Sequence, residues 1–306
     1  MEESIVSING ISKKYGRAQV LKNVSLDIPK GSIFGLVGRN GAGKTTLMRI
    51  ITGLAAPTSG TYSISGVSSD DKKMLSVRRR MGSIIESPAV FRNLSAYDNI
   101  KLQYINLGMT SFEDIPELLE LVELKDTGKK TAGKFSLGMK QRLGIAVALC
   151  GKPDILVLDE PINGLDPQGI IQMREILLRI SKERHTTILI SSHILEELSK
   201  LATHYAFIEQ GEILQTLSSE ELMSRVKKSS RIKVSDVEAL CPVFDRAKID
   251  YKVDGEDIID IYSDIAASKI VALANEASVE VISINENNES LEGYFMNLVA
   301  KREGLS

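Results

Sequence analysis

The sequence predicts an α/β chain: a parallel-sheet core with an antiparallel β edge and an inserted helical subdomain, then a small C-terminal α+β domain. Three observations carry the prediction. Ile33-Phe34-Gly35-Leu36-Val37 and Ile155-Leu156-Val157-Leu158 are short apolar runs of the kind found in strands buried on both faces. The first run leads into a glycine-rich loop and then into Leu47, Met48, Ile50, Ile51 and Leu54 at helical spacing, which gives the order strand, loop, helix. Near residue 230 the pattern changes to short alternating runs and two further helical stretches.

The elements follow in order. Ile5, Ile8, Ile11, Val20, Val24, Leu26 and Ile28 alternate with polar residues and predict antiparallel edge strands. From about Ser87 to Leu137 the pattern is mostly helical, with Ser95/Asp98 and Ser111/Asp114 suited to helix starts and an apolar stripe at Leu118, Leu119 and Val122. A helix is expected over Pro167 to Glu183, a third buried strand over Thr187 to Ile190, and a helix over Ile194 to Leu201. Short strands around Phe207 and Ile213 close the first domain at 1–226. Lys227-Lys228-Ser229-Ser230 reads as a linker into a second domain at 227–306. There, Ile232/Val234, Ile259/Ile261 and the run Val279 to Ile284 suggest strands, and Ala266 to Ala277 and Leu291 to Leu298 suggest helices.

Composition narrows the function classes. Charged residues are 25% and apolar residues 43% of the 306, a soluble proportion with enough apolar content for a core. The net charge of -2 argues against a dedicated nucleic-acid binder. The start, Met1 to Gly10, has neither a basic nor an apolar stretch, so no signal peptide is expected, and no apolar run approaches a bilayer span. Cys150 and Cys241 are expected to be buried small apolar residues, and no zinc-ligand spacing links them to the histidines.

Gly38 to Thr45 fits G-x-x-x-x-G-K-[ST]. Gly38, Gly41 and Gly43 permit backbone shapes that a side chain would block, so that amide N–H groups around Asn40 and at the helix start, through Thr46, can cradle phosphate oxygens. Lys44 is then placed to reach the terminal phosphates of a nucleotide, and the Thr45 hydroxyl to bind magnesium. The second apolar strand ends in Asp159-Glu160, at the strand end where parallel sheets gather functional groups. Asp159 is a candidate magnesium carboxylate and Glu160 a candidate base or water-orienting group. Taken alone, the pair reads equally as an acidic helix cap; beside the phosphate loop it reads as chemistry.

Phe135-Ser136-Leu137-Gly138-Met139-Lys140-Gln141-Arg142 resembles the signature LSGGQ-x-QR of the ABC ATPase family, a P-loop NTPase family, and the resemblance covers about the first 220 residues. Asn163-Gly164-Leu165-Asp166 resembles the family's D-loop. His193 follows the third strand like the switch histidine, and Tyr15 stands where the family stacks an aromatic ring on adenine. The resemblance implies ATP and Mg2+ as ligands and a head-to-tail dimer of two copies. Each ATP would lie between the phosphate loop of one copy and Ser136, Gly138 and Asp166 of the other. His193 would contact the terminal phosphate.

Two departures narrow the resemblance. Leu137 and Met139 replace the usual Gly and Gln of the signature. Glu86, in Gly82-Ser83-Ile84-Ile85-Glu86-Ser87-Pro88, replaces the usual Q-loop Gln and joins Thr45 and Asp159 as a candidate metal ligand. Ile-Ile-Glu-x-Pro, with Asn93-Leu94-Ser95-Ala96 and Asn99, is similar to the motors of bacitracin-resistance and lantibiotic-immunity exporters of Gram-positive bacteria. Ser290 to Phe295 resembles the end of drug-exporter ATPases. The expected function is therefore the ATP-hydrolysing motor of an exporter for an antimicrobial peptide or drug. Its expected partners are a second copy and an integral-membrane permease, without nucleic acid, and its expected place is cytoplasmic, peripheral at the inner face of the cell membrane. The alternatives are a soluble ABC protein of translation or DNA repair, which a single phosphate loop and the lack of a long heptad run disfavour, and a module that has lost hydrolysis, which Lys44, Glu160 and His193 disfavour. Arg78-Arg79-Arg80 reads as a solvated face, with a surface for a membrane partner or lipid head groups as the alternative. The C-terminal domain reads either as a brace for the dimer or as a ligand sensor.

Overall fold

A computed structural model describes residues 3–225, 228–263, 265–288 and 291–303. The chain divides into two compact units, Met1–Ser219 and Glu220–Ser306. Val226 and Lys227, where the domain boundary was expected, lie outside the described residues, as does Ser290.

The first unit begins with a long antiparallel hairpin, β1 (Ser4–Tyr15) and β2 (Ala18–Pro29). The buried strand β3 (Ile33–Val37) and helix α1 (Lys44–Ile51) follow. Next come β4 (Ser59–Ile64), β5 (Val67–Ser68), α2 (Met74–Arg78) and β6 (Met81–Ile84). The helical insertion holds α3 (Ala96–Asn106), α4 (Ile115–Leu121) and α5 (Leu137–Ala148). The core then resumes with β7 (Ile155–Asp159), α6 (Pro167–Arg184), β8 (Thr187–Ser192), α7 (Leu195–Ser199), β9 (His204–Glu209) and β10 (Glu212–Ser218).

Two sheets result. One is antiparallel, in the order β2-β1-β4-β5. The other has the order β10-β9-β3-β8-β7-β6, parallel except for its β10 edge. In the parallel strands β3, β7 and β8 every residue is buried, which is why they read as continuous apolar runs. The strand order places the carboxyl ends of β6, β7, β8 and β3 side by side. That edge is where an open α/β sheet presents its ligands.

Capping accounts for the helix starts. The Ser95 hydroxyl accepts from the Asp98 N–H and opens α3, as its sequence suggests. The expected Ser111 start is displaced: Asp114 is the residue at the head of α4, and Pro116 at its second position suits a helix start. Two members of the basic run have ordinary partners. Arg78 donates to the Tyr62 hydroxyl and Arg80 pairs with Asp154 at 2.6 Å.

Both cysteines were expected to be buried. Cys150 is, but Cys241 is half-buried. Burial pushes the Cys150 thiol up to about 12. At pH 8 only about one thiol in ten thousand is then thiolate, the reactive form. Thiol-reagent titration of the native protein is expected to label Cys241 and to reach Cys150 only after unfolding. Equal labelling rates would contradict this packing.

Helix α8 (Ser219–Arg225) starts at the last residue of the first unit, and the second unit builds an antiparallel sheet from β11 (Lys228–Val234), β12 (Tyr251–Val253), β13 (Ile258–Ile261) and β14 (Val281–Asn288) in the order β12-β13-β11-β14. Helices α9 (Val237–Arg246) and α10 (Ala267–Glu276) connect the strands, and α11 (Leu291–Glu303) follows. The element order is that of the split β-α-β motif. Its core joins Ile232, Val234, Ile259 and Ile261 to Leu240, Phe244 and Ile270. Arg231 forks onto Asp260, with both bonds at 2.7 Å. That hydrogen bonding holds the Asp260 carboxyl below its ordinary range. Any stability the pair contributes is present above the usual aspartate pKa of about 3.9 and is lost as pH falls through the lowered value. No helix among the described residues is long and apolar enough to cross a membrane.

Candidate active site

The loop after β3 is shaped by two glycines. A Cβ on Gly38 would lie 2.3 Å from the Ile208 carbonyl oxygen, so the backbones approach more closely there than any side chain permits. Gly43 has φ +111° and faces Leu21 and the Val20 carbonyl of β2. It caps α1 without a side-chain acceptor, leaving the first-turn N–H groups to the loop. Asn40 and Gly41 are exposed, and Thr45 and Thr46 are half-buried.

Lys44 is almost wholly buried, at 5% exposed. Its ammonium donates to the Gly38 carbonyl at 2.6 Å and the Arg39 carbonyl at 3.3 Å. It also lies 3.2 Å from Glu160 Oε1. That oxygen is buried and accepts no directed hydrogen bond, so the contact is ionic rather than a shared proton.

The neighbouring strand ends supply the remaining groups. Asp159 pairs in register with Ser191 of β8, and Ser192 with Val37 of β3. Asp159 accepts from the Thr45 hydroxyl at 2.7 Å through one oxygen and from the Ser191 hydroxyl at 2.6 Å through the other. Ser191 in turn accepts from the Glu160 N–H at 2.9 Å. Glu160 has φ +48°, uncommon for a residue with a Cβ, and this turn brings its carboxylate back over the strand ends. Its Oε2 lies 2.8 Å from His193 Nδ1. Lys44, Thr45, Asp159, Glu160 and His193 thus form one connected constellation. Ser191 is the member that sequence reasoning missed. Its signal was faint: a serine pair closing an otherwise apolar strand.

A second group gathers elsewhere. Ser136 caps α5 and accepts from the Met139 N–H at 3.2 Å, and Asp166 caps α6 and accepts from the Gly169 N–H at 3.0 Å. With Gly138 they line an open cleft of about 420 Å³. Leu137 also lines it, 49% exposed, with its side chain turned against Gly164.

Two expected residues stand apart from both groups. Tyr15 ends β1, 46% exposed, with the Lys13 ammonium 4.8 Å from its ring centre. Glu86, expected beside Thr45 and Asp159, pairs instead with the Arg49 guanidinium of α1. Of the three residues expected to bind a metal, only Thr45 and Asp159 are in contact.

No group of three or more His, Cys, Asp or Glu side chains among the described residues is arranged to hold a metal ion. The hard oxygens of Thr45 and Asp159 instead suit magnesium, which one or two protein oxygens bind when substrate phosphates and water complete the shell.

Known proteins resemble this chain over most of its length. The ABC transporter family model matches residues 21–163. The bacitracin transport ATP-binding protein BcrA of Bacillus licheniformis is 39% identical over 299 residues, 97% of each chain. The lantibiotic transport ATP-binding protein SrtF of Streptococcus pyogenes is 46% identical over 210 residues, 69% of this chain and 89% of that one. A solved dimeric structure of a post-hydrolysis state of an ATP-binding cassette, bound to ADP and Pi, superposes with a TM-score of 0.63 at 26% identity, covering 70% of this chain and 98% of that one.

Proposed function

The chain belongs to the ABC transporter family of ATP-binding subunits, and from that premise we propose that it is the motor of an exporter whose cargo is a peptide antibiotic. It is an ATPase. The cargo class rests on the likeness to BcrA, which covers 97% of both chains and so includes the second unit.

In this reading the loop amides and Lys44 bind the phosphates of ATP. Thr45 and Asp159 hold magnesium, with Ser191 fixing the free oxygen of Asp159. When bound, magnesium offsets charge on the transferred phosphoryl group. Glu160 orients the attacking water and takes its proton. His193 holds the other carboxylate oxygen, so Glu160 presents a fixed face. Tyr15 stacks on the adenine. The connected constellation and the Ser136–Asp166 cleft are separate half-sites, which supports a head-to-tail dimer with ATP between the loop of one copy and the cleft of the other. The exposed N-terminal end of α5 there suits the terminal phosphate. The second unit extends the motor beyond its ATPase core, and a permease carries it at the inner face of the cell membrane.

The test is capture of the tagged chain from native membranes in mild detergent. A multi-span membrane protein in stoichiometric amount is expected. Ribosomes or DNA in its place, with ATPase activity intact, would move the chain to a soluble ABC function.

A further inference from the structure

Glu86 puts a carboxylate at the sheet edge that carries the constellation. Its position follows from the sheet. Ile84 of β6 pairs with Leu158 of β7, so Glu86 lies at the same edge as Asp159 and Glu160. Its backbone has φ +69°, and the Ser87 N–H donates to the Ile85 carbonyl at 3.0 Å across it, a tight γ-type turn that is unfavourable for a residue with a side chain.

The carboxylate pairs with Arg49. Arg49 lies four residues after Thr45 on α1 and therefore shares its face of the helix. One face of α1 thus meets two adjacent strand ends: Thr45 touches Asp159 beyond β7, and one turn further on Arg49 holds Glu86 beyond β6.

We propose that Arg49 is a positioning residue that compensates the Glu86 carboxylate and turns it away from the ATP phosphates. This rests on the assignment of the phosphate loop as the ATP site. An uncharged Gln needs no such partner, whereas an unpaired carboxylate opposes a triphosphate by direct repulsion. The side chains are 38% and 63% exposed, a setting in which an ion pair adds little to fold stability, so variants are expected to fold.

The experiment is ATP binding at equilibrium in EDTA, with melting temperatures as a folding control. Arg49→Gln is expected to weaken binding about tenfold, the scale of one uncompensated charge near the phosphates. In a Glu86→Gln background the same substitution is expected to change binding less than about threefold, because the offending charge is gone. Equal weakening in both backgrounds would show that Arg49 acts on the nucleotide or the fold directly, and no weakening in either would remove the role; both outcomes overturn the proposal. Lys44→Ala in the same titration separates the two levels. If it binds like the wild type, the ATP-site assignment fails. If it loses binding while Arg49→Gln does not, only the Arg49 role fails.

Discussion

Lys44→Ala is expected to weaken ATP binding at least a hundredfold while leaving the fold intact. The ammonium is buried and makes close contacts to two loop carbonyls and to Glu160. In the proposed complex it also meets phosphate oxygens, a charge-assisted interaction of about 1.5–3 kcal/mol for each bond. Losing those bonds is worth about a hundredfold in Kd. Removal also leaves Glu160 with no cation beside its Oε1, adding a bare carboxylate to the repulsion of the phosphates. Calorimetric titration measures the effect, and a Kd within threefold of wild type would contradict the assignment.

Glu160→Gln separates binding from turnover. Gln keeps the volume and the turn at φ +48° but cannot accept a proton from water. A positioned general base contributes about 10²–10⁴-fold, so kcat is expected to fall by at least about a hundredfold. ATP affinity is expected to hold or tighten, because the substitution removes a negative charge near the phosphates. A fall in affinity with kcat preserved would reverse the assignment and make Glu160 a binding residue.

The sequence made the core of this site legible because its signals are local. Gly38 to Thr45 lie within one loop and one helix start, and Asp159-Glu160 close a run that is apolar throughout. The contacts between these segments were not readable. Ser191 joins Asp159 to the Glu160 backbone across a strand pair, and Arg49 reaches Glu86 from another element. The Q-loop resemblance, together with carboxylate chemistry, put Glu86 with the magnesium ligands; the fold shows the cation that competes for it.

Elements were missed for similar reasons. β4 buries only Tyr62 and Ile64, and β6 is a single short stretch containing Gly82, where a Cβ would meet the Ala148 carbonyl, so its identity depends on α5 packing against it. Helix α9 contains Pro242, which removes an amide donor and reads as a break, yet Leu240, Val243 and Phe244 bury enough apolar surface to hold the helix. In each case tertiary burial overrides a weak or contrary local signal.

In the proposed dimer two copies complete one ATP site, the phosphate loop of one facing the Ser136–Asp166 cleft of the other. Sedimentation of Glu160→Gln with and without saturating ATP tests it most directly, because slowed turnover lets the ATP-bound form persist. A monomer without nucleotide and a dimer with ATP are expected, with loss of that dimer when Ser136→Phe fills the cleft. A monomer under saturating ATP, with nucleotide bound, would contradict it.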